Sequence, residues 1–491
     1  MRKIISILII LSVALALCGC SDSEKSKRKD PKEDLFTKGM FAIQKNGKWG
    51  VIDKKGKYIV DTEYNSTTID SKNGLILLEN IPEADENGLI TENVYEVFNP
   101  KTGDSIISSC VGVQFSIDSD YICVYGESSE KTKVVMQEDG TIEEEYENAY
   151  YYVNQKGENT FDKEFDEAQP FSDGAAVVGK ENDDGETSKY GYINTKGEYF
   201  IVPKYDKAES FYGGATAVGN EKKGVFLINK DEERLTDKKY DNMLINYADE
   251  KDPMWSVSKN KKHGLINAKG EEILKPIYDW CYSDGYFIYA NKSGKSGVFN
   301  LDGEVIIEPK YDEIYADSCS DIKGYKINKK WGLINNEGKV VVKPKYDEIL
   351  TFLGGNLCPA KKNGKWGYID KKGKQVIPFK YDGASVFDNG MATVVYNDNC
   401  CVINKKGDIT KTFDKEYKNV YPYSDSLLAI TKNKKWKVLD REGKAISEEI
   451  DYYKNPYGQI VGFCEKEGCY NAVASSSLCS EHDPLLKKGD N

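Results

Sequence analysis

The stretch that decides the fold is Lys365-Trp366-Gly367-Tyr368-Ile369-Asp370-Lys371-Lys372-Gly373. It recurs with small changes at 48–56 as KWGVIDKKG and at 330–338 as KWGLINNEG. The Asp or Asn at its sixth place can be followed through 11 copies, at positions 53, 99, 154, 194, 229, 267, 300, 335, 370, 404 and 440. Repetition at a nearly fixed period indicates small structural units that stack to bury a shared core.

The spacing of the copies separates two blocks. From position 194 onward the intervals are 35, 38, 33, 35, 35, 34 and 36 residues, whereas the first copies are 46, 55 and 40 residues apart. We therefore predict a divergent block with insertions at 36–148 and a regular repeat array at 149–453.

Each copy has the pattern of short strands joined by tight turns. The alternating segment Met391–Val395 leads to a Trp-Gly strand, and Asp/Asn-x-x-Gly then favours a type I turn with a bulge, which makes a hairpin. The next strand, such as 339–342, runs into Pro-Lys-Tyr-Asp, where Pro is expected to end the ladder and Asp to bond the backbone two residues on. Each copy thus holds three strands and a Tyr-Asp corner.

No segment shows a sustained 3.6-residue apolar period, so helices should be scarce. The predicted fold class is all-β, with tandem repeats of about 35 residues that form either propeller-like blades or a superhelical array.

The recurring Trp-Gly, Asp/Asn-x-x-Gly and Tyr-Asp elements resemble the WG-repeat (KWG) family of bacterial proteins over roughly residues 36–453. That resemblance implies a binding or scaffolding module. The dipeptide is intact only at Trp49, Trp331 and Trp366. Elsewhere the Trp place holds Tyr190, His263, Ser296, Cys400 and Trp436.

Because a Trp at a fixed register is more often core than contact, we expect the Trp row to be buried. By the same register His263 is a degenerate repeat position rather than a catalytic group. The pair Cys400-Cys401 replaces Trp-Gly itself, with a strained vicinal disulfide as the alternative.

Composition excludes several functional classes. With 80 acidic against 68 basic residues and no basic block containing aromatics, a nucleic-acid partner is not expected. The chain has 2 His, and it has no Gly-x-Ser-x-Gly elbow or Gly-rich phosphate loop. Paired carboxylates could serve a cell-wall glycan hydrolase, and that is the alternative function. Carboxylate pairs are unavoidable in so acidic a chain, so the prediction is a protein that is not an enzyme.

The N-terminus has the features of an export signal. Arg2 and Lys3 precede an apolar run, Ile4–Leu17, whose length of about 21 Å as a helix is short of the ~30 Å hydrocarbon core of a bilayer. The stretch Leu17-Cys18-Gly19-Cys20 resembles the bacterial lipobox. The resemblance implies a signal peptide at 1–19 and a diacylglyceryl lipid on Cys20. A cut before Cys18 and an ordinary signal peptide are the alternatives.

Residues Ser21–Asp34 contain no aliphatic or aromatic side chain, so the segment 20–35 is predicted to be a lipidated Cys and a flexible tether. Two acyl chains make a stable membrane anchor. The predicted location is therefore extracytoplasmic, on a bacterial membrane.

The tail at 454–491 departs from the repeats. Cys464, Cys469, Cys479 and His482 form Cys-x4-Cys-x9-Cys-x2-His, a donor set that tetrahedral Zn²⁺ favours. It resembles the small Cys/His zinc clusters appended to many bacterial proteins. A disulfide is the alternative in an oxidising compartment, although three Cys leave one unpaired.

Together these features predict a membrane-anchored, extracytoplasmic binding or scaffolding lipoprotein. Its loops, rich in Tyr, Lys and Asp, are expected to engage a protein or an envelope polysaccharide.

Overall fold

The computed structural model describes residues 35–81, 94–116, 118–136, 142–182, 188–220, 224–247, 252–315, 320–352, 355–413, 417–423, 426–454, 460–463 and 472–474. Every regular element in these ranges is a β-strand, which confirms the all-β prediction. Nothing in these ranges forms a helix long and apolar enough to cross a membrane. The chain divides into two compact units, the first from Met1–Tyr64, Gly294–Asn300 and Glu304–Asn491, and the second from Asn65–Ser293 and Leu301–Gly303.

The first unit begins with three strands from the N-terminal repeat. They are β1 (Met40–Lys45), β2 (Lys48–Asp53) and β3 (Tyr58–Tyr64). Its remaining strands come from the C-terminal half of the chain and are numbered after those of the second unit.

The second unit supplies the strands that follow. They are β4 (Ser66–Ile69), β5 (Ile76–Asn80), β6 (Val94–Asn99), β7 (Asp104–Cys110), β8 (Gly112–Phe115), β9 (Ile122–Met136), β10 (Ile142–Val153), β11 (Glu167–Ala168), β12 (Ala175–Glu181), β13 (Ser188–Asn194), β14 (Tyr199–Tyr205), β15 (Lys207–Ala208), β16 (Ala215–Asn220), β17 (Gly224–Asn229), β18 (Asn242–Tyr247), β19 (Met254–Lys259), β20 (Lys262–Asn267), β21 (Glu272–Tyr278), β22 (Trp280–Ser283) and β23 (Ile288–Lys292).

The first unit then continues to the C-terminus. Its strands are β24 (Lys295–Phe299), β25 (Val305–Tyr311), β26 (Glu313–Ile314), β27 (Ile322–Ile327), β28 (Lys330–Asn335), β29 (Val340–Tyr346), β30 (Glu348–Ile349), β31 (Leu357–Lys362), β32 (Lys365–Asp370), β33 (Gln375–Tyr381), β34 (Gly383–Ala384), β35 (Met391–Tyr396), β36 (Asn399–Asn404), β37 (Ile409–Phe413), β38 (Tyr417–Pro422), β39 (Leu427–Thr431), β40 (Trp436–Leu439), β41 (Tyr452–Lys454), β42 (Ile460–Phe463) and β43 (Ala472–Ala474).

A complete repeat is a four-stranded antiparallel sheet in which successive strands are neighbours, the connectivity of a propeller blade. Repeat 9, numbered by its place among the 11 copies, is β30-β31-β32-β33. Its first strand, Glu348–Ile349, is only two residues long and directly follows Tyr-Asp. The prediction of three strands per copy was wrong here, because a two-residue strand has no periodicity that a sequence pattern can show.

The eleven-fold repetition is confirmed by strand register. In each copy the residue at the Trp place pairs with the residue at the Tyr place of the following strand or bridge. The pairs are Trp49 with Tyr64, Tyr95 with Cys110, Tyr150 with Phe165, Tyr190 with Tyr205, Val225 with Tyr240, His263 with Tyr278, Ser296 with Tyr311, Trp331 with Tyr346, Trp366 with Tyr381, Cys400 with Phe413, and Trp436 with Ile450.

The core lies between neighbouring sheets. One cluster joins Trp366, Tyr368 and Ile377 of repeat 9 to Val394 and Ile403 of repeat 10. Because each sheet covers its neighbour's apolar face, the free energy of one repeat depends on the next.

Within the first unit, the first and last repeats pack together in the same manner. Phe41 and Ile52 of repeat 1 share a buried cluster with Leu428 and Trp436 of repeat 11. Strand β1 also pairs with β41, so Tyr452 and Tyr453 extend the N-terminal sheet. Repeat 1 and repeat 11, the two ends of the array, are thus held together by backbone pairing and by a common core.

Candidate functional site

The Trp row is buried, as predicted. Trp49, Trp331, Trp366 and Trp436 are between 1% and 8% exposed. Trp331 stacks on Tyr315 with ring centroids 4.7 Å apart and an angle of 16° between the rings. These indoles belong to the core and do not present a ligand surface.

Gly in each Trp-Gly dipeptide permits a bulge in the adjacent strand. In repeat 8 the register runs from Trp331 opposite Tyr346 to Leu333 opposite Val342, so two residues are added in the fourth strand. A Cβ at Gly332 would lie 2.4 Å from the carbonyl oxygen of Val342. A side chain at this position would therefore force the two strands apart.

Pro344 lies inside this bulge, and the strand continues past it to Tyr346. The prediction that Pro ends the ladder was wrong. Proline is tolerated because a bulged residue has no ladder hydrogen bond to donate.

In repeat 8 the Asp of Tyr-Asp bonds two hairpin tips instead of the backbone two residues on, which corrects that prediction. In repeat 8, Asp347 Oδ2 accepts a hydrogen bond at 3.1 Å from the backbone N–H of Gly364, in the hairpin tip of repeat 9. Its Oδ1 accepts at 2.6 Å from Nζ of Lys330, in the hairpin tip of repeat 8. One carboxylate thus bridges the tips of two successive repeats.

We name these residues the clasp aspartates. Those that accept a hydrogen bond from a downstream backbone N–H, or in the last case from repeat 1, are Asp166, Asp241, Asp279, Asp312, Asp347 and Asp451. Lys330 and Gly364 hold the pKa of Asp347 below its ordinary value through their hydrogen bonds. The pKa of Asp312 is lowered chiefly by the hydrogen bond from Lys295. Asp312 and Asp347 are therefore ionised at neutral pH, and their charges bind lysines and backbone N–H groups of the fold.

The Tyr residues of Tyr-Asp are also structural. Tyr311, Tyr346 and Tyr381 are between 0% and 7% exposed. Lys310, Lys345 and Lys380 each place Nζ between 5.1 and 5.5 Å from the ring that follows them. The tyrosines expected in ligand-binding loops lie in the core at these positions, and only the lysines reach solvent.

The turns that follow the Trp-Gly strands have the predicted hairpin geometry. In repeat 1 the Gly56 N–H donates to the carbonyl oxygen of Asp53 at 3.0 Å, and Gly56 has a φ of 80°. Oδ1 of Asp53 accepts from the backbone N–H groups of Lys55 and Lys57 at 2.8 and 2.9 Å. The carboxylate is directed at its own backbone, while the lysine side chains are exposed.

Within the first unit, the exposed large aliphatic side chains of the described residues all lie on fourth strands. They are Val305, Val340, Val341, Val376 and Ile409, each between 38% and 49% exposed. We name this set the edge row, because its strands β25, β29, β33 and β37 each end their sheet. An exposed β-branched set on consecutive sheet edges is typical of a surface that another protein covers.

The described cysteines are free thiols: Cys110, Cys123, Cys281, Cys358, Cys400 and Cys401. Burial raises the pKa of Cys400 to about 12, so its thiolate is absent at neutral pH. His263 occupies the Trp place of β20, opposite Tyr278, as its register predicts.

The predicted lipid site Cys20 and the predicted zinc ligands Cys464, Cys469, Cys479 and His482 lie outside the described residues. Within the ranges that the structure does describe, no three His, Cys, Asp or Glu side chains are grouped to hold a metal ion.

Sequence reasoning missed two features of this surface. The Trp-place residues Tyr95, Tyr150 and Val225 carry no Trp-Gly signal, and only strand register identifies them. The sequence pattern predicts that the clasp aspartates form local turns, whereas the structure shows them bonded to hairpin tips. For Asp279, Asp312 and Asp347 the available signal was a Lys 17 residues earlier.

Comparison with solved structures finds likenesses at low identity. A crystal structure of a eukaryotic initiation factor is 12% identical, with a TM-score of 0.37, over 76% of this chain and 95% of that chain. The computationally designed Ika8 protein is 11% identical, with a TM-score of 0.25, over 67% and 96%. KlHsv2 with loop 6CD replaced by a Gly-Ser linker is 10% identical, with a TM-score of 0.25, over 48% and 94%.

Comparison with families is more informative. No curated protein matches the sequence. A family model described as "WG containing repeat" matches segments that together cover more than half of the chain, namely 49–78, 152–182, 190–223, 264–295, 297–331, 331–366, 366–400 and 402–436. With the strand register and the buried Trp row, this match shows that the chain belongs to the family of proteins built from WG-containing β repeats.

Proposed function

We propose that this protein is a non-catalytic scaffold that binds another protein at the bacterial envelope, where a diacylglyceryl lipid on Cys20 anchors it. The observation that carries the binding role is the edge row. Five β-branched side chains are exposed on consecutive sheet edges of a single compact unit. Because these side chains are between 38% and 49% exposed, covering one of them in an interface is worth roughly 0.5–1.5 kcal/mol.

Protein is favoured over polysaccharide as the partner. Sugar rings bind on exposed aromatic faces. Among the described residues the exposed large aromatics are Tyr199, Phe200 and Tyr286 in the second unit and Tyr452 in the first, so none belongs to the edge row. The edge row instead offers aliphatic side chains, which suit the apolar centre of a protein interface.

A non-catalytic role is supported by the use of the recurrent acids. The Asp in Asp-x-x-Gly bonds its own turn, and the clasp aspartates bond lysines and backbone N–H groups. Carboxylates that accept these hydrogen bonds stabilise the fold and are not placed to act as a catalytic acid or base. Cys20 and the lipobox it resembles support the anchor, together with the apolar run before it.

The test is capture from native envelope with the full-length anchored protein as bait. The variant Val340→Lys with Val376→Lys should lose the captured protein, because two charges are placed in the edge row. Val202→Lys with Leu244→Lys, on the sheet-ending strands β14 and β18 of the second unit, is the matched control and should retain it, which would assign binding to the first unit's edge row and not to exposed sheet edges in general. Equal capture by both variants, or release of reducing ends from cell-wall glycan by the wild type, would refute the proposal.

The anchor is tested separately in the same cells. Cys20→Ala should abolish incorporation of labelled fatty acid and either release the protein from membranes or leave an uncut precursor. Fatty-acid labelling that persists in this variant would show that another residue carries the lipid.

A further inference from the structure

Four turns of the first unit are rich in lysine and lie beside one another. They are 53–57 of repeat 1, 370–374 of repeat 9, 404–408 of repeat 10 and 440–444 of repeat 11. We name them the turn strip. Together they hold ten basic and five acidic residues.

The backbone geometry of these turns separates their charges. Oδ1 of Asp370 accepts hydrogen bonds from the backbone N–H groups of Lys372 and Lys374 at 2.9 and 2.8 Å. Asp53 does the same in repeat 1. Asp53 and Asp370 are thus turned toward their own backbone amides, and Asp408 accepts from the side-chain amide of Asn404 at 3.0 Å. Lys371 pairs with Asp321 at 2.6 Å. The other lysines of the strip are exposed, namely Lys54, Lys55, Lys57, Lys372, Lys374, Lys405, Lys406 and Lys444. The strip therefore offers a cationic surface despite the nearby acids.

Contacts of the turn glycines show that the strip is continuous. A Cβ at Gly407 would lie 3.0 Å from Cγ2 of Ile377, on the fourth strand of repeat 9. A Cβ at Gly443 would lie 2.7 Å from Cε of Lys411, on the fourth strand of repeat 10. A Cβ at Gly56 would lie 2.0 Å from the carbonyl oxygen of Ile446 in repeat 11. Each turn thus rests on the strand that begins at the preceding turn.

The corresponding turns of the second unit are close to neutral, since 99–103, 154–158, 194–198, 229–233 and 267–271 together hold five basic and six acidic residues. There an Asn replaces the Asp, and a Glu four residues later accepts a hydrogen bond from its amide, as in Asn194 and Glu198 at 3.0 Å. Asn154 and Glu158 form the same pair at 2.8 Å. Residues 65–293 as a whole hold 24 basic and 44 acidic residues. Asn404 and Asp408 in repeat 10 form the same kind of pair, but two lysines stand between them, so the strip keeps a basic excess that the turns of the second unit lack.

The chain enters the fold next to the strip. Leu35 and Phe36 are buried, and Nζ of Lys54 lies 5.9 Å from the centroid of the Phe36 ring. The 14 residues Ser21–Asp34 separate this point from Cys20. Even fully extended they span at most about 50 Å. A lipid on Cys20 thus keeps the strip within reach of the membrane surface.

We propose that the turn strip binds the anionic phospholipid headgroups of the membrane that holds the protein, and so orients the repeat array on that surface. This inference rests on the proposed lipid anchor for its location. The strip suits an extended anionic surface better than a small ligand, because its lysines are distributed over four neighbouring turns. Each basic residue near an anionic membrane contributes about 1 kcal/mol, roughly a fivefold change in the partition coefficient.

The experiment uses non-lipidated protein from Ser21 onward, which retains every residue that the structure describes. Its partitioning is measured by sedimentation with vesicles of phosphatidylcholine alone and of phosphatidylcholine with about a third phosphatidylglycerol. We expect binding only to the anionic vesicles, and loss of binding in about 1 M salt, where the screening length is about 3 Å. Because this protein carries no lipid, the result does not depend on whether Cys20 is the anchor.

Two matched variants each remove four lysines. In the turn strip the substitutions are Lys55→Gln, Lys57→Gln, Lys372→Gln and Lys406→Gln. At exposed hairpin tips elsewhere they are Lys259→Gln, Lys261→Gln, Lys329→Gln and Lys362→Gln. The first variant should partition at least tenfold more weakly onto anionic vesicles, and the second should change less than threefold.

Three results would overturn the inference. The two variants could lose binding equally, which would mean that only net charge matters. The wild type could bind phosphatidylcholine as well as it binds the anionic vesicles. Soluble polyphosphate could be bound by the strip as tightly as the vesicles, which would identify a free polyanion as its ligand.

Discussion

The carboxylate of Asp451 accepts a hydrogen bond at 2.7 Å from the backbone N–H of Asn46, 405 residues earlier in the chain. It is the same clasp that joins Asp347 to Gly364 in adjacent repeats. Repeat 11 therefore holds repeat 1 as repeat 8 holds repeat 9. With the β1–β41 pairing, this contact ties down an N-terminal sheet that would otherwise lack a neighbour on one side.

Asp451→Ala should loosen the N-terminal sheet specifically. The Asn46 N–H lies at an exposed hairpin tip where water can replace the lost acceptor, so the substitution should cost about 0.5–1.5 kcal/mol. We expect faster amide hydrogen exchange in Met40–Lys45 and unchanged exchange in repeats 8 and 9. Asp347→Ala is the matched control and should have the reverse pattern. Equal effects of both variants on both regions would show that the clasps act on the array as a whole.

Acid should weaken the clasps in a defined direction. The pKa values of Asp312 and Asp347 are lowered in the folded protein, so their contribution to stability is complete above the unfolded carboxyl pKa of about 3.9. That contribution is lost as the pH falls through the lower folded values. The melting temperature of the wild type should therefore drop more steeply between about pH 4 and pH 3 than that of Asp312→Asn with Asp347→Asn. Asp398→Asn at an exposed hairpin tip controls for loss of a carboxylate and should retain the wild-type slope.

Gly338 and Gly364 allow the cost of a left-handed backbone to be measured apart from the cost of a steric clash. Gly338 and Gly364 have φ values of 74° and 78°. A Cβ at Gly338 would lie 2.3 Å from the carbonyl oxygen of Ile306, whereas a Cβ at Gly364 has no atom within 4 Å. Gly364→Ala should cost about 1–2 kcal/mol for the left-handed backbone alone. Gly338→Ala should lower the midpoint of denaturant unfolding further, and equal midpoints would mean that neighbouring repeats do not pack through this turn.

Truncation of a buried Trp should destabilise two repeats at once. Trp366 is 8% exposed and shares its cluster with Val394 and Cys401 of the next repeat. Trp366→Ala should cost about 3–5 kcal/mol in unfolding free energy, because the cavity forms in a core common to both sheets. Val202→Ala, 61% exposed, should change stability by less than about 0.5 kcal/mol. An unchanged melting temperature in Trp366→Ala is the result that would place the Trp row at the surface.

The features that sequence predicted are those with a short-range cause. Asp53 and Gly56 define their turn within four residues, and the buried Trp places follow from a fixed register. Pro344 and Asp347 were misread because their roles depend on partners in other strands. A bulge opposite Gly332 is visible only when the two strands are aligned, and no local propensity marks it.

The interaction surfaces follow the same division. Alternation along β29 makes Val341 and Lys343 exposed, but only the sheet order shows that this strand is an edge. The lysines of the turn strip were visible in the sequence as Lys-Lys-Gly motifs. These lysines lie near one another because repeat 1 packs on repeat 11. That contact joins distant parts of the chain, so no local sequence pattern predicts it.

The tail is predicted to bind one Zn²⁺ through Cys464, Cys469, Cys479 and His482. Metal binding requires deprotonated thiols, so zinc occupancy should fall as the pH is lowered. Elemental analysis of purified protein should find about one zinc per chain, lost in Cys479→Ser and retained in Cys400→Ala, which removes a thiol already placed in the repeat core. A chelator should expose the tail to protease while the melting temperature of the repeats stays constant, since their core is built without it. Absence of zinc, together with a disulfide between two of the tail cysteines by mass spectrometry, would replace the metal site with an oxidised one.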